Sequence, residues 1–237
     1  MLKLYVSVPI ASFRPGAARE FWESSPLPPP STVYGFLLAM VGETERKKHI
    51  GVRCTAGLIG QPDRSTVLRK LWRVKELGKN KDGSHDFSGM GTGSNVRPDY
   101  QQLLTGVRLI VFVDSSEEPD GTETLESRLR VALDPGRRGA INRFGGLSLG
   151  ESTHMVDEVY DASKLDPEEV ETAEVFLCES NGNMTLPVWV DHVGAADTRY
   201  ATGRLTVLGK DAPTPDRLPQ IDNGDFSQVA TVTTPDK

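Results

Sequence analysis

From its second residue the chain alternates, with Leu2, Leu4, Val6 and Val8 apolar and Lys3, Tyr5 and Ser7 between them. A period of two places these sets on opposite faces of a half-buried strand. The apolar set is expected to face helices, and the Lys3/Tyr5/Ser7 set an open sheet face. Pro28, Pro29 and Pro30 then fix φ and remove backbone donors, so the chain arrives extended at the next element. Ser31 or Thr32 is suited to cap a helix running from Val33 to Val41. That helix is apolar nearly all round, which predicts burial on several sides. Gly35 inside it costs stability relative to alanine and points to close approach of another backbone.

The pattern continues with strands near 53–60 and 64–75, joined by a tight turn at Pro62 and Asp63. Gly78 to Asn95 is rich in Gly and Asn and cannot hold a core; it is a mobile loop or the tip of a long hairpin. A strand at Val107–Val113 precedes a helix at about 122–133, where Leu125, Leu129 and Ala132 share one face. A glycine-rich turn region, 134–151, leads to a strand at about 154–160. This order predicts an α+β fold, a ferredoxin-like sandwich over 1–160 with helices on one face of an antiparallel sheet. After an acidic stretch, strands at 173–178, 186–193 and 203–208 form either a small β-rich lobe (161–210) or an extension of the first sheet. The polar, Pro-rich tail, 211–237, is expected to be partly disordered.

Length and composition narrow the class. A chain of 237 residues can bury one substantial core with room for a small second lobe. The longest strongly apolar run, Leu109 to Val113, is strand-sized, so no membrane span is expected. Met-Leu-Lys-Leu-Tyr-Val at the start runs straight into a strand pattern and offers no signal peptide. Cys54 and Cys178 give neither a metal spacing nor a disulfide framework, which fits a reduced cytoplasm. The net charge of −6 argues against a nucleic-acid partner until the chain is divided. Residues 1–110 carry 16 Lys and Arg against 9 Asp and Glu, and residues 111–237 carry 11 against 24, balances of +7 and −13. Arg46 to Lys81 alone holds 11 basic and 2 acidic residues. The basic half can meet phosphate while the acidic half faces solvent or protein; two simply solvated surfaces are the other reading.

Three segments combine cations with rings or glycines. The loop before the first helix carries Phe13, Arg14, Arg19, Phe21 and Trp22, held between two fixed elements. The second segment, Arg64 to Lys75, sets Arg69, Lys70, Arg73 and Lys75 around Leu71 and Trp72. Cations interleaved with an aromatic suit a single-stranded backbone, guanidinium meeting phosphate and a ring stacking a base. Equally, Trp72 can belong to the core and the cations to an edge that discourages sheet pairing. The third, Gly136 to Gly150, offers glycines that admit phosphate oxygens close to the backbone, here Gly145 and Gly146 in particular. Arg137, Arg138 and Arg143 supply charge, Asn142 a hydrogen-bonding edge and Phe144 a stacking ring. It is no Walker motif, since no Gly-Lys-Ser/Thr ends it. His49, His85, His154 and His192 are scattered over four segments, with no His-x-x-x-His, carboxylate triad or Cys cluster. No metal, cofactor or catalytic residue is therefore assigned.

A first strand ending in Pro-x-Ala-Ser-Phe-Arg, then a proline run and Ser-Thr-x-Tyr-Gly opening a helix, resembles the start of the Cas-five family of CRISPR-associated RAMP proteins. The likeness is strong over Met1 to Gly42, moderate over the next hundred residues and slight after Tyr160. It implies an RRM-like fold and a non-catalytic subunit of a type I Cascade effector, which binds the 5′ handle of the guide RNA (crRNA). It also implies a hairpin thumb at about 76–99, bearing Lys79, Lys81 and Arg97, that grips the RNA beside the neighbouring backbone subunit. The large subunit, and target DNA near its flanking motif, are the further partners implied. Phe-Gly-Gly-Leu-Ser-Leu-Gly-Glu is similar to type I-B-like relatives. One branch of the family cuts repeat RNA with a Tyr/Lys/His set, and no convincing equivalent maps here. A metal-independent endoribonuclease is thus the alternative, and a small-molecule enzyme on the same scaffold a further one.

Overall fold

The computed structural model describes residues 1–15, 21–72, 80–84, 96–119, 123–193 and 196–223. The opening alternation becomes strand β1 (Leu2–Ala11), and Leu2, Leu4, Val6 and Val8 are buried together in the main core. A two-residue strand β2 (Phe21–Trp22) precedes helix α1 (Pro30–Met40). Neither Ser31 nor Thr32 caps that helix. The cap position is Pro29, whose carbonyl accepts from the backbone N–H of Thr32 and Val33, and both candidate caps lie within the first turn. The proline run thus starts the helix a turn early, because a proline at its first position has no N–H to leave unsatisfied.

Next come β3 (Arg53–Leu58), β4 (Asp63–Trp72) and β5 (Val96–Asp114), then α2 (Leu125–Leu133), capped by the Thr124 side chain, and β6 (Glu158–Asp161). β5 begins well before the expected 107, since its first half pairs with β4 in antiparallel register from Asp63↔Thr105 to Trp72↔Val96. The strand expected at 154–160 is shorter, and Met155 makes only an isolated bridge to Ser148. A short helix α3 (Pro167–Glu171) and strands β7 (Glu174–Cys178), β8 (Met184–Trp189) and β9 (Arg199–Val207) complete the strands and α-helices of the described residues.

All the described strands join one sheet in the order β6-β1-β5-β3-β7-β9-β8, with β2 and β4 also on β5. Every pairing is antiparallel except that of β2 with β5. The fold is α+β, a mostly antiparallel sheet with a few helices. Val33, Phe36 and Leu37 of α1 and Leu125 and Leu129 of α2 bury against one face of it. Arg128 ties the two helices, bonding Glu43 and the Val41 carbonyl, while the fully buried His49 meets Glu118 at 2.6 Å. Bonds from Lys48, the Glu45 backbone and Arg128 hold the Glu43 carboxyl down at about 2. Among the described residues no helix is long and apolar enough to cross a membrane.

Two expectations fail, each for a tertiary reason. The second sheet face is not open: Tyr5, Ile110 and Phe112 are buried there under Ala162, Ala173 and Leu218. Gly35 is exposed, and no atom lies within 4 Å of where its Cβ would stand, so among the described residues no backbone packs against it. Of the polar tail, 211–223 is described and 224–237 lies outside the described residues. Residues up to Asn223 form a strap whose Leu218 and Ile221 are fully buried. The strap bonds the free edge of β3, with Cys54 N–H donating to Pro219 O (3.0 Å) and Ile221 N–H to Val52 O (2.8 Å). An unpaired strand edge is thereby satisfied by a segment that reads as polar tail. Leu218→Ala is expected to cost about 2–4 kcal/mol, as for a buried leucine truncated in a core. Urea unfolding checks this; an unchanged midpoint means the strap is detached in solution.

Candidate nucleic-acid interface

The loop between β1 and α1 is pinned at both ends. Ser25 N–H donates to Phe13 O (2.7 Å), Phe13 N–H to Ser24 Oγ (2.9 Å), and Ser24 N–H to the side chain of Gln102 (3.1 Å). The parallel register Phe21↔Tyr100 and Trp22↔Gln101 then fixes which ring faces which side. On one side Trp22, Gln101 and Arg69 come together, because Arg69 sits two residues from Val67, the β4 partner of Gln101. The Arg14 guanidinium lies 4.4 Å from the Trp22 ring centroid and that of Arg69 5.8 Å from it. These are cation–π distances.

Glu151 closes the cluster. Its carboxylate accepts from Arg69 Nη1 (3.0 Å) and from Gln101 Nε2 (2.8 Å), and pairs with Arg14 Nε (3.3 Å). Arg69 also donates to Gln101 Oε1. Partial burial works to raise the Glu151 carboxyl, but the bonds from Arg69 and Gln101 and the charges of Arg69 and Arg14 outweigh it, leaving it below the usual carboxylate range. Both arginines stay partly exposed, with 43% and 36% of their side-chain surfaces open. Two part-exposed guanidinium groups share the one carboxylate of Glu151. Guanidinium groups so placed have the chemistry to receive phosphate oxygens.

His154 sets the position of Glu151. Its Nδ1 accepts from the backbone N–H of Ser12 (3.2 Å) and of Glu151 (3.3 Å), so that nitrogen carries no proton. Burial pushes the ring below its ordinary value; the Glu151 charge opposes this, and Arg69 and Arg14 reinforce it. A ring neutral in the fold costs stability once the unfolded chain can take a proton. This contribution is intact above about pH 6.5 and declines as pH falls below it. His154→Gln is expected to flatten the loss of stability between pH 7 and 5 relative to the parent, measured by urea midpoints; identical slopes would refute this.

The glycine-rich loop is held at its ends and bare in its middle. Arg138–Ala140 forms a 3-10 turn. Gly42 (φ +66°) would place a Cβ 2.1 Å from the Asn142 carbonyl oxygen, and Gly150 (φ +95°) one 2.8 Å from Ser12 O. The loop therefore abuts the end of α1 at one side and the Arg14 loop at the other. Arg137, Arg138, Asn142, Arg143, Gly145 and Gly146 are exposed, and Phe144 is wholly so.

The structure thus brings Arg14, Trp22 and Arg69 into one cluster, and attaches the loop bearing Arg137 to Gly146 beside it. Lys70 and Arg97 are placed only by their backbones, in β4 and β5. Lys81 is exposed in a turn closed by Asn80 N–H to Ser84 O (2.8 Å). Arg19, Arg73, Lys75 and Lys79 lie outside the described residues. Sequence reasoning missed Gln101, Glu151 and His154. No spacing signals them, since Glu151 reaches Arg69 across 82 positions. It also missed an apolar row on the opposite side of the same strands. Phe21, Tyr100 and Leu68 are neighbours across β2, β5 and β4, with exposures of 42%, 54% and 57%.

No family model matches the chain. It is 48% identical over 225 residues to the CRISPR-associated protein Cas5 of Myxococcus xanthus (strain DK1622), covering 93% of this chain and 97% of that protein. Among solved structures it superposes on a chain of a CRISPR RNA-guided surveillance complex with a TM-score of 0.54 at 14% identity, covering 90% of this chain and 95% of the other. A crystal structure of a Cas protein gives 0.48 at 15% identity, covering 92% and 97%.

Proposed function

The chain belongs to the CRISPR-associated Cas5 family, and from that premise we propose that it is a non-catalytic, cytoplasmic subunit of a type I Cascade effector that binds the repeat-derived 5′ handle of the guide RNA. The observation that carries this reading is the pair of part-exposed guanidinium groups, Arg14 and Arg69, held about Trp22 by one carboxylate. They meet phosphates of the handle. The loop bearing Arg137, Arg138, Asn142, Arg143, Phe144, Gly145 and Gly146 flanks them and reads splayed bases. The strand order β6-β1-β5-β3, with α1 and α2 packed on one face, supports a ferredoxin-like core over 1–160. Its covered second face directs RNA to the loops instead of the sheet.

Arms β4 and β5 leave this core as an antiparallel pair, which supports a thumb near 76–99. Lys70, Arg73, Lys75, Lys79, Lys81 and Arg97 accompany the RNA along it, as Arg19 does in the Arg14 loop. The row Phe21, Tyr100 and Leu68 seats the first backbone subunit. The acidic second half docks the large subunit, near the flanking motif of the target DNA, in a complex of type I-B-like kind.

Co-expression with a CRISPR array and the neighbouring genes, followed by sequencing of RNA retained by the tagged chain, tests the reading. Guide RNAs with a uniform 5′ end support it. Assembly with partner subunits but without RNA, even at low salt, overturns it. One observation favours the endoribonuclease alternative: His192 and Lys47 line the same cleft. Cleavage of bound repeat RNA in EDTA, lost in His192→Ala, would replace the non-catalytic reading.

A further inference from the structure

Two clefts meet at Arg46. One, of about 450 Å3, runs along the solvent side of α1 past Ser31, Gly35 and Ala39, and is bounded by Ser148, Gly150 and Trp189. The other, of about 500 Å3, lies beyond Arg46 and is lined by Lys47, Trp189, His192 and Arg199. Arg46 stands in both, and it is held in place although exposed. Its guanidinium lies 4.3 Å from the Trp189 ring centroid, its Nη2 donates to Val190 O (3.0 Å), and its own carbonyl accepts from the Tyr34 hydroxyl (2.7 Å). An exposed arginine ordinarily keeps its rotamer freedom; these contacts oppose that freedom and lower the entropic cost of ordering it against a ligand.

Gly35 explains the width of the first cleft. No atom lies within 4 Å of its missing side chain, so the helix has a notch on the cleft side. The cleft borders the candidate interface: Gly150 in its wall is the chain neighbour of Glu151, the carboxylate that bridges Arg14 and Arg69.

We propose that the paired cleft takes one unstacked nucleotide of the bound RNA, its base laid on the Arg46 guanidinium over the Gly35 notch and its phosphate met by Lys47. Guanidinium planes are a surface on which splayed bases stack, and a stacked arginine keeps its outer N–H groups for hydrogen bonding. The inference rests on the handle-binding reading above and adds a site to it.

The test uses the assembled complex and chemical probing of every handle nucleotide, with dimethyl sulfate for A and C and a carbodiimide for G and U. Gly35→Leu fills the notch at an exposed helical position where nothing is displaced, so folding is expected to be kept. Arg46→Ala removes the platform. In the parent one handle base is protected; in both variants that base becomes about fivefold or more reactive, the low end for removal of a stacking partner. All other handle positions keep their pattern. An unchanged pattern in Gly35→Leu and Arg46→Ala overturns the proposal and leaves the handle reading intact. Loss of a neighbouring subunit from Gly35→Leu with the base pattern intact overturns it in favour of a protein segment as occupant. A parent complex without RNA overturns both readings together.

Discussion

Changing Arg14 and Arg69 together to glutamate (R14E/R69E) is expected to weaken handle RNA binding at least about 100-fold at fixed salt, since each charge-assisted bond is worth roughly 1.5–3 kcal/mol. The effect exceeds the simple removal of two bonds, because the new carboxylates would stand beside Glu151, which now bridges the two guanidinium groups. Phosphate would then meet two further carboxylates where it had met two guanidinium groups. The dependence of log affinity on log salt should fall by about 1.4, near 0.7 for each single-strand phosphate no longer neutralised. Filter binding over a salt series measures both quantities, and circular dichroism checks that the fold is kept. Arg69→Ala alone should cost about tenfold. Undiminished binding by the double variant would remove this cluster from the RNA path.

Gly42→Ala is expected to be the most damaging small substitution near the interface. Its φ of +66° lies in the left-handed region, which costs a side-chain-bearing residue about 1 kcal/mol. The added Cβ would also stand 2.1 Å from the Asn142 carbonyl oxygen, a backbone atom that moves only if the loop moves. Backbone displacement of that kind adds about 1–3 kcal/mol. For a chain of this size the sum lowers the unfolding midpoint by about 10 °C, at roughly 2–4 °C per kcal/mol. Because the same loop carries Asn142, Arg143 and Phe144, RNA binding should weaken alongside stability. Gly60→Ala is the internal comparison. It has φ +71° and open space around it, so only the conformational cost applies. Equal losses at the two positions would show that the loop does not pack on Gly42 in solution.

Much of the architecture is legible along the chain. The alternation of Leu2 to Val8, the apolar run of α1 and the Leu125/Leu129 spacing each fix a local conformation through Cβ directions that repeat every two or every 3.6 residues. The charge asymmetry, and the closeness of Arg14, Trp22 and Arg69 to rings, are likewise visible as composition. The helix start is misplaced in the sequence because Ser31 and Thr32 have the chemistry of caps, whereas Pro29 and Pro30 already have the geometry a first turn requires. The second sheet face reads as open because much of its cover comes from elements more than a hundred residues from β1, namely Ala162, Ala173 and Leu218.

What the sequence by itself determined was therefore most of the elements, though not β2, α3 or the first half of β5, together with their order and the chemical character of the basic first half. The tertiary structure alone decided which distant residues complete a site. Glu151 reaches Arg14 and Arg69, His154 holds the Glu151 backbone, and the strap through Leu218 and Ile221 closes the edge of β3. It also decided that Gly35 opens a cleft and is not a helix-packing contact. The physical reason is range. Periodicity and turn chemistry act over a few residues, so they are written in neighbouring letters. Strand register and the meeting of single side chains depend on the whole sheet closing, and a carboxylate 82 positions from its partner carries no local mark.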